Sequence, residues 1–311
     1  MKVAQIGTGG WGKNHTRILS QLGVLTAVCD ANKERSKEYA DKYSVNSYDS
    51  VDSLLDTEDF DVAFICTPTS THSKIASQLI QKKKNVFIEK PLTYLSEDGE
   101  ELLELAKKNN VLMTCGYIER FNPAVGLVKD YVKSKKYGEL VMLEFHRENR
   151  MPLHIKDVGI IYDTSVHDID TAMWLFDDTP QVVFARSGKI NHEHEDFASI
   201  MLGFKDNKVA VISSNWITPT RVRNFNAVCT EGIISSDFIS QEVKIETNND
   251  TEIPRKEKVE PLLLEIKNFL GAVEGKNELI VKPEQAVNVT KIAEASLLSS
   301  QKGTPIYLEL K

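Results

Sequence analysis

Apolar runs and amphipathic stretches alternate along the first third of the chain. Between the apolar runs, helical periodicity appears at residues 13–22, 33–43, 51–55, 73–82 and 96–109. The apolar, β-branched runs, together with one short strand at 47–48, lie at 3–6, 24–29, 61–66, 85–88 and 111–115. Runs that are apolar throughout are typical of a parallel sheet covered on both faces. The alternation therefore predicts an α/β fold whose first domain, residues 1–118, is a doubly wound Rossmann-type sheet.

The pattern changes beyond residue 118. Two predicted helices, 123–136 and 162–176, flank a strand at 140–146, and two more, 261–271 and 283–300, precede a short strand at 306–310. In between, strands follow one another at 182–189, 197–204, 208–216, 222–229 and 233–239. Asp206-Asn207 is typical of a hairpin turn between two of them. Strands in succession predict an antiparallel sheet, so residues 119–311 form a second, α+β domain.

A glycine-rich loop follows the first predicted strand and precedes the first helix. Its sequence is Gly7-Thr8-Gly9-Gly10-Trp11-Gly12, which fits G-x-G-x-x-G in the context where that motif binds a dinucleotide. Gly7 permits a tight turn, Gly9 lets the backbone approach a pyrophosphate, and Gly12 lets helix and strand pack closely. The phosphates are expected at the helix N-terminus, which favours an anion.

An acidic residue ends the second predicted strand. Asp30 lies about 20 positions beyond the loop, where a carboxylate accepts hydrogen bonds from the adenosine ribose. It would repel a 2′-phosphate, and the nearby Lys33 and Arg35 only partly offset this repulsion. NAD is therefore favoured over NADP. The alternative is a glycine-rich turn with Asp30 as a helix N-cap.

Two further strand ends are expected at the ligand-binding edge of the sheet. Thr67, Pro68 and His72 follow the apolar run 61–66, and Glu89-Lys90-Pro91 follows the run 85–88. The cation of Lys90 could contact a ribose hydroxyl, the nicotinamide or a substrate hydroxyl. A helix cap remains the alternative for His72, and an ordinary charged loop residue the alternative for Lys90.

The second domain contains a histidine among carboxylates. On a helix, Asp163, His167 and Asp170 are spaced to share one face. Such a histidine is suited to general base chemistry because a nearby anion orients it and tunes its pKa. A metal site and a solvated acidic helix are the alternatives, and the scarcity of further histidines argues against the metal.

Composition narrows the partners. The chain has 311 residues, 41% hydrophobic and 27% charged, with a net charge of −7. No basic block predicts a nucleic-acid partner, and no apolar run predicts a membrane span. The absence of a signal peptide predicts a cytoplasmic protein. The four cysteines, which include no C-x-x-C pair, are then expected to be reduced thiols.

These residues together resemble the glucose–fructose oxidoreductase / inositol dehydrogenase family. The resemblance spans nearly the whole chain and includes the glycine loop, Glu89-Lys90-Pro91 and the helix with Asp163 and His167. It implies a Rossmann domain followed by a domain with an open, mainly antiparallel sheet. It also implies that Lys90 contacts substrate and nicotinamide ribose, and that His167 is base or acid with Asp163 beside it. Members often associate through the sheet, so a homo-oligomer, dimer or tetramer, is expected.

A narrower resemblance lies at the domain junction. Residues 116–125 and 150–159 are similar to UDP-N-acetylglucosamine 3-dehydrogenases, although Tyr117 stands where many relatives have histidine. The resemblance implies NAD-dependent oxidation of the sugar 3-hydroxyl to a ketone. Either His167 or Lys90 would take the proton, and we favour His167, with Lys90 polarising the oxygen. Expected substrate contacts are Tyr117, Arg120, Asn122 and Arg150, and candidate diphosphate contacts are Arg120, Arg147, Arg150, Arg221 and Arg223.

Three other functions remain open. An inositol- or polyol-type dehydrogenase of the same family would not depend on a diphosphate. A non-catalytic NAD- or sugar-sensing regulator is disfavoured by the presence of Lys90, Asp163 and His167. A glycosidase that uses transient oxidation would show no net reduction of the cofactor.

Overall fold

The structure is a computed structural model that describes residues 1–152, 155–255 and 257–309. The helices are α1 Gly12–Gln21, α2 Lys33–Tyr43, α3 Val51–Thr57, α4 His72–Gln81, α5 Ser96–Asn109, α6 Pro123–Ser134, α7 Val166–Phe176, α8 Pro261–Val273 and α9 Pro283–Lys302. The strands are β1 Val3–Ile6, β2 Leu25–Cys29, β3 Asn46–Tyr48, β4 Val62–Ile65, β5 Asn85–Glu89, β6 Met113–Gly116, β7 Leu140–Glu148, β8 Val182–Gly188, β9 Phe197–Gly203, β10 Val209–Asn215, β11 Val222–Cys229, β12 Gly232–Asp237, β13 Val243–Glu246, β14 Thr251–Glu252 and β15 Ile306–Tyr307.

The chain forms two compact units. Unit 1 contains residues 1–117 and 262–287, and unit 2 contains 118–261 and 288–311. The sequence predicts a single division at residue 118, whereas the segment 262–287 packs with unit 1. In this packing, Thr114 Oγ1 donates to the carbonyl of Val281 at 2.8 Å. Whether the functional domains are 1–118 and 119–311 stays a prediction.

Unit 1 is built on a parallel sheet with the strand order β3-β2-β1-β4-β5-β6. The order reverses between β1 and β4, as in a doubly wound fold. Strands β1 and β4 are buried at every position, which explains their continuous apolar character. Phe64 and Phe87 stack at 4.8 Å, and Phe269 of α8 meets Phe64 edge-on at 5.7 Å. The predicted Rossmann-type sheet is confirmed.

Unit 2 is built on a mixed sheet with the order β14-β13-β12-β11-β7-β10-β9-β8-β15. Its pairs are antiparallel except β7 with β10, which confirms a mainly antiparallel sheet. The predicted hairpin is present, with Asp206 and Asn207 at φ of 56° and 57° between β9 and β10. Strands β13 and β14 were not predicted from the sequence. Leu310, the end of the predicted last strand, lies outside the described residues.

One helix of unit 2 begins irregularly. Residues Ile161–Ser165 form a π-helical turn that leads directly into α7, where the sequence predicts a single helix over 162–176. The wider turn rotates the residues before Val166 relative to those after it, which changes which side chains share a face. Across the described residues, the structure contains no helix with the length and apolar character that crossing a membrane requires.

Candidate functional site

The glycine loop has the close packing that its sequence predicts. Gly7 has φ +83°, and a Cβ added there would lie 2.4 Å from the carbonyl oxygen of Cys66. A Cβ at Gly12 would lie 2.1 Å from the carbonyl oxygen of Gly7, so α1 approaches β1 as closely as backbone allows. Among the described residues, no side chain caps α1 after Trp11, and its first turn contains no acidic residue. Its N-terminal N–H groups therefore suit a pyrophosphate.

Asp30 lies beyond β2 and is held by several donors. The backbone N–H and the hydroxyl of Thr8 both donate to Oδ2 at 2.9 Å. Arg35 binds the same carboxylate through Nε at 2.9 Å and Nη2 at 2.7 Å, and Asn32 N–H donates to Oδ1 at 2.9 Å. Burial alone would raise the pKa of Asp30, but these hydrogen bonds outweigh it and leave the pKa below its ordinary value. Asp30 is thus an anion whose charge Arg35 balances.

Arg35 also lies against the glycine loop. A Cβ added at Gly9 would be 3.2 Å from its guanidinium carbon, so the bare backbone of Gly9 leaves room for Arg35. Its side chain is 43% exposed, whereas that of Asp30 is 4% exposed. A ribose hydroxyl that binds Asp30 must therefore share the carboxylate with the long, partly exposed side chain of Arg35. The sequence expectation that Arg35 only partly offsets Asp30 understates this direct pairing.

The turns after β4 and β5 are joined by a histidine. His72, 1% exposed, places Nδ1 2.9 Å from the carbonyl oxygen of Pro91 and Nε2 3.0 Å from that of Thr67. Burial lowers the pKa of His72, so the neutral ring donates to one carbonyl at a time. Pro68, between these groups in sequence, is exposed. The direct cofactor contacts predicted for Thr67, Pro68 and His72 stay predictions, and the structure gives His72 a bridging position.

Lys90 follows β5 and is partly buried. Its backbone N–H donates to Oε2 of Glu89 at 3.0 Å. Glu89 Oε1 lies 2.7 Å from Nε2 of His15, a residue of α1 that was not singled out from the sequence. The sequence signal that could have identified this residue is the position of His15, three residues beyond Gly12 in the first helix.

The predicted catalytic helix separates its three polar residues. Asp163 lies in the π-helical turn and His167 in the first turn of α7, and both are partly buried. Asp170 is completely buried and binds Arg120, with Nη2–Oδ1 at 2.6 Å and Nε–Oδ2 at 2.9 Å. Asp170 therefore has a structural partner in the interior, and a shared face of all three residues stays a prediction. Asp163 and His167 remain the candidate base and its neighbour.

A second buried pair fixes the same helix. Arg147 is 1% exposed and binds Asp168 at 2.8 Å and Glu119 at 3.1 Å. Burial lowers the pKa of Arg147, but the charges of Asp168 and Glu119 outweigh it and leave the pKa above its ordinary value. Asp168 binds Arg147 and Asp170 binds Arg120, so two buried ion pairs with arginine anchor α7.

The junction residues predicted to bind substrate lie largely in the interior. Tyr117, Arg120 and Asn122 are 1%, 4% and 1% exposed. Asn122 caps α6 by accepting from Ala124 N–H at 3.1 Å and donates to the carbonyl of Phe238 at 3.0 Å. These contacts give Arg120 and Asn122 structural roles, and their substrate contacts stay predictions.

Three other arginines cluster at one end of the unit 2 sheet. In the antiparallel pair of β7 and β11, Val222 lies opposite Glu148 and Arg223 opposite Arg147. Arg150, just beyond β7, and Arg221, just before β11, therefore lie at the same end, and both are exposed. Burial, together with the charges of Arg147 and Arg221, lowers the pKa of Arg223 to about 10. Arg150, Arg221 and Arg223 thus lie at one end of the sheet, where the charges of Glu119 and Asp168 partly offset the repulsion on Arg223.

The segment carrying Asp163 is tied to this end of the sheet. Ser165 Oγ lies 3.1 Å from Ser214 Oγ of β10, and Glu195 Oε1 accepts from the N–H of Ile161 at 3.2 Å. Gly159 makes room for Glu195, because a Cβ there would lie 2.2 Å from the carboxylate. Glu195 and Ser214 were not predicted as site residues, since only the folded sheet brings them to the π-helical turn.

Comparisons with known proteins identify the family of both parts of the chain. Residues 1–117 match the model of the oxidoreductase family with an NAD-binding Rossmann fold, and residues 125–235 match the GFO/IDH/MocA C-terminal domain. The chain is 27% identical to UDP-N-acetylglucosamine 3-dehydrogenase of Acidithiobacillus ferrooxidans, over 88% of each chain. The solved structure of that enzyme superposes with a TM-score of 0.89 at 25% identity, covering 97% of this chain and 98% of that one.

Two further relatives bear on the substrate and the fold. The chain is 27% identical to myo-inositol 2-dehydrogenase of Thermotoga maritima, over 69% of this chain and 68% of that one. A dehydrogenase of Chromobacterium violaceum, solved with NADH and UDP-GlcNAcA, has a TM-score of 0.88 at 18% identity and covers 100% of this chain and 96% of that one. At that identity the likeness concerns the fold alone. The family match confirms NAD as the cofactor.

The pairing of Asp30 with Arg35 predicts opposite effects on cofactor preference. Arg35→Ala leaves Asp30 to the ribose and removes the cation nearest a 2′-phosphate, so the ratio of the NADP to the NAD dissociation constant should rise about tenfold, the worth of one charged hydrogen bond. Asp30→Ala should lower the same ratio by a similar factor. Titration of tryptophan fluorescence with each cofactor measures both constants. Asp59→Ala, which removes an exposed partner of Lys2, is the control, and equal shifts in all three variants would contradict the assignment.

Proposed function

Because the chain belongs to the GFO/IDH/MocA oxidoreductase family, we propose that it oxidises the 3-hydroxyl of a UDP-N-acetylhexosamine, with UDP-N-acetylglucosamine favoured. The product is the 3-keto sugar nucleotide. The NAD-dependent oxidoreductase activity follows from the family, whereas the substrate is our proposal. The observation that carries it is the cluster of Arg150, Arg221 and Arg223 at the end of the unit 2 sheet.

A diphosphate suits this cluster. Guanidinium groups bind phosphate oxygens bidentately, and an anion beside Arg223 would offset the burial and the repulsion by Arg147 and Arg221 that lower its pKa to about 10. Trp216 follows β10 at the same end, and its buried indole N–H has no hydrogen-bond acceptor among the described residues. An amide or hydroxyl oxygen of an N-acetylated sugar would supply one.

The chemistry divides between two side chains. Oxidation of an alcohol releases the hydroxyl proton and a hydride from the same carbon. Bound NAD supplies the hydride acceptor. We assign the proton to His167, oriented by the carboxylate of Asp163 in the preceding π-helical turn, and the polarisation of the oxygen to the ammonium group of Lys90. The hydroxyl of Thr164 donates to Asp163 Oδ2 at 3.1 Å.

An inositol- or polyol-type dehydrogenase is the second candidate. The similarity to the inositol enzyme of Thermotoga maritima favours it. Free inositol carries no phosphate, however, and leaves the arginine cluster without a role. The two candidates therefore differ in whether turnover depends on a diphosphate.

Turnover with the nucleotide sugar tests this proposal. Enzyme with NAD and UDP-N-acetylglucosamine should produce the absorbance of reduced cofactor, and Arg223→Met should raise KM by about tenfold or more, since one charged hydrogen bond is lost. Lys244→Met, at an exposed surface pair, is the matched control. Turnover of free myo-inositol but not of the nucleotide sugar would move the assignment to the polyol candidate.

His167→Ala should lose most turnover while it retains NAD binding. General acid–base groups contribute typically ~10²–10⁴-fold, and the loss should appear in kcat. The matched control is His146→Ala, which removes an exposed histidine of the same unit. If His167→Ala kept near-normal kcat, His167 would not be the base.

The exposed face of the unit 2 sheet supports the expected homo-oligomer. Phe184, Met201 and Val211 lie opposite one another on adjacent strands β8, β9 and β10. Met201 and Val211 are 47% and 39% exposed, and continuous apolar rows of this kind mark interaction sites. We propose that a second copy of the chain covers this row.

Disrupting the row should therefore separate the copies. Met201→Glu places a charge in the middle of it and should reduce the molar mass measured by light scattering to that of one 35.0 kDa chain. Lys37→Glu on α2 is the control. A wild-type protein of single-chain mass would refute the proposal.

A further inference from the structure

A buried histidine–glutamate pair lies between the glycine loop and Lys90. His15 is in α1, three residues beyond Gly12, and is completely buried. Its Nε2 lies 2.7 Å from Oε1 of Glu89, the last residue of β5, and Oε2 of the same carboxylate accepts the backbone N–H of Lys90 at 3.0 Å. One carboxylate therefore joins α1 to the first backbone amide beyond β5.

The surroundings allow this pair little freedom. The ring of His15 packs 5.7 Å from Phe64 and 5.3 Å from Phe87. A Cβ added at Gly116 would lie 3.0 to 3.1 Å from the carboxylate of Glu89, so glycine is what leaves space for it. Because an ionised carboxylate only accepts, His15 donates through Nε2, which fixes its tautomer.

The same residues could suggest a metal centre. Among the described residues, His15, Glu89 and Cys66 hold their ligand atoms within 4.8 Å of one another. His15 and Glu89 already bind each other, however, and burial raises the pKa of the Cys66 thiol well above its ordinary value. Metals take the thiolate rather than the thiol. The cluster is thus a hydrogen-bonded pair beside a thiol.

We propose that the His15–Glu89 pair positions Lys90 for the oxidation, by fixing the backbone from which the lysine side chain extends. The inference rests on the proposed function, which gives Lys90 its role at the reacting oxygen. A lysine side chain has a flexible stem, so the direction of its backbone is what the fold can determine. A displacement of about 1 Å at a reacting group can cost on the order of 10²-fold in rate.

A matched pair of substitutions separates positioning from packing. His15→Gln keeps a donor near the place of Nε2, whereas His15→Met has similar length and no donor. We expect His15→Met to lower kcat by about 10²-fold with the NAD dissociation constant changed less than threefold, and His15→Gln to recover most of kcat. Equal kcat in the two variants, or a loss of NAD binding parallel to the loss of kcat, would overturn the proposal.

A readout without substrate keeps this test independent of the proposed function. Reductive ¹³C-methylation of the NAD-loaded full chain labels its lysines, and the resonance absent from Lys90→Arg is that of Lys90. This resonance should shift in His15→Met and stay in place in His15→Gln. If the Lys90 resonance stays in place in both variants, the positioning role fails even where turnover is normal. If His15→Met does not fold, Glu89→Gln and Glu89→Met make the same comparison, because glutamine still accepts from the N–H of Lys90. Absence of turnover in the wild type with a shifted resonance would reject only the proposed function.

Discussion

Buried arginine–carboxylate pairs decide what α7 can do. Arg147 holds Asp168 and Arg120 holds Asp170 inside unit 2, where an unpaired charge would be costly. Removing either partner would leave the other charge buried and unpaired. The two pairs therefore fix the position of α7 within unit 2. The residues left partly accessible at its start are His167 and, in the π-helical turn, Asp163. The proposed roles of Asp163 and His167 depend on this division between the buried carboxylates that hold the helix and the partly buried carboxylate of Asp163.

Sequence motifs predicted the features that depend on neighbouring residues in the chain. The glycine loop, Asp30 and Lys90 each follow a strand, and the strand-and-helix alternation places strand ends at one edge of the parallel sheet. Partners far apart in sequence were beyond such reasoning. Arg120 and Asp170 are 50 positions apart, and nothing near either residue shows that they meet. The π-helical turn was likewise invisible, because helical spacing assumes one turn width, and the packing of 262–287 with unit 1 depends on a chain return that no motif marks.

The cofactor and the proposed substrate depend on different features of the molecule. The cofactor is indicated by close contacts that only glycine permits at Gly7 and Gly12, by the uncapped start of α1, and by the family match. The proposed substrate is supported by charge, because Arg223, whose pKa is lowered to about 10, lies at the sheet end where Arg150 and Arg221 also lie. His15 and Glu89 belong to the cofactor-binding features by position and serve the reaction through Lys90. The structure thus explains why cofactor identity could be recognised from a short motif while the sugar could not.

The central claim is that a hydride leaves C3 of a UDP-N-acetylhexosamine. UDP-N-acetylglucosamine deuterated at C3, incubated with enzyme and NAD, tests it directly when the reduced cofactor is analysed by mass spectrometry. The account predicts reduced cofactor that carries the deuterium, together with a 3-keto sugar nucleotide. Reduced cofactor without deuterium would show that the hydride comes from another carbon and would contradict the assignment.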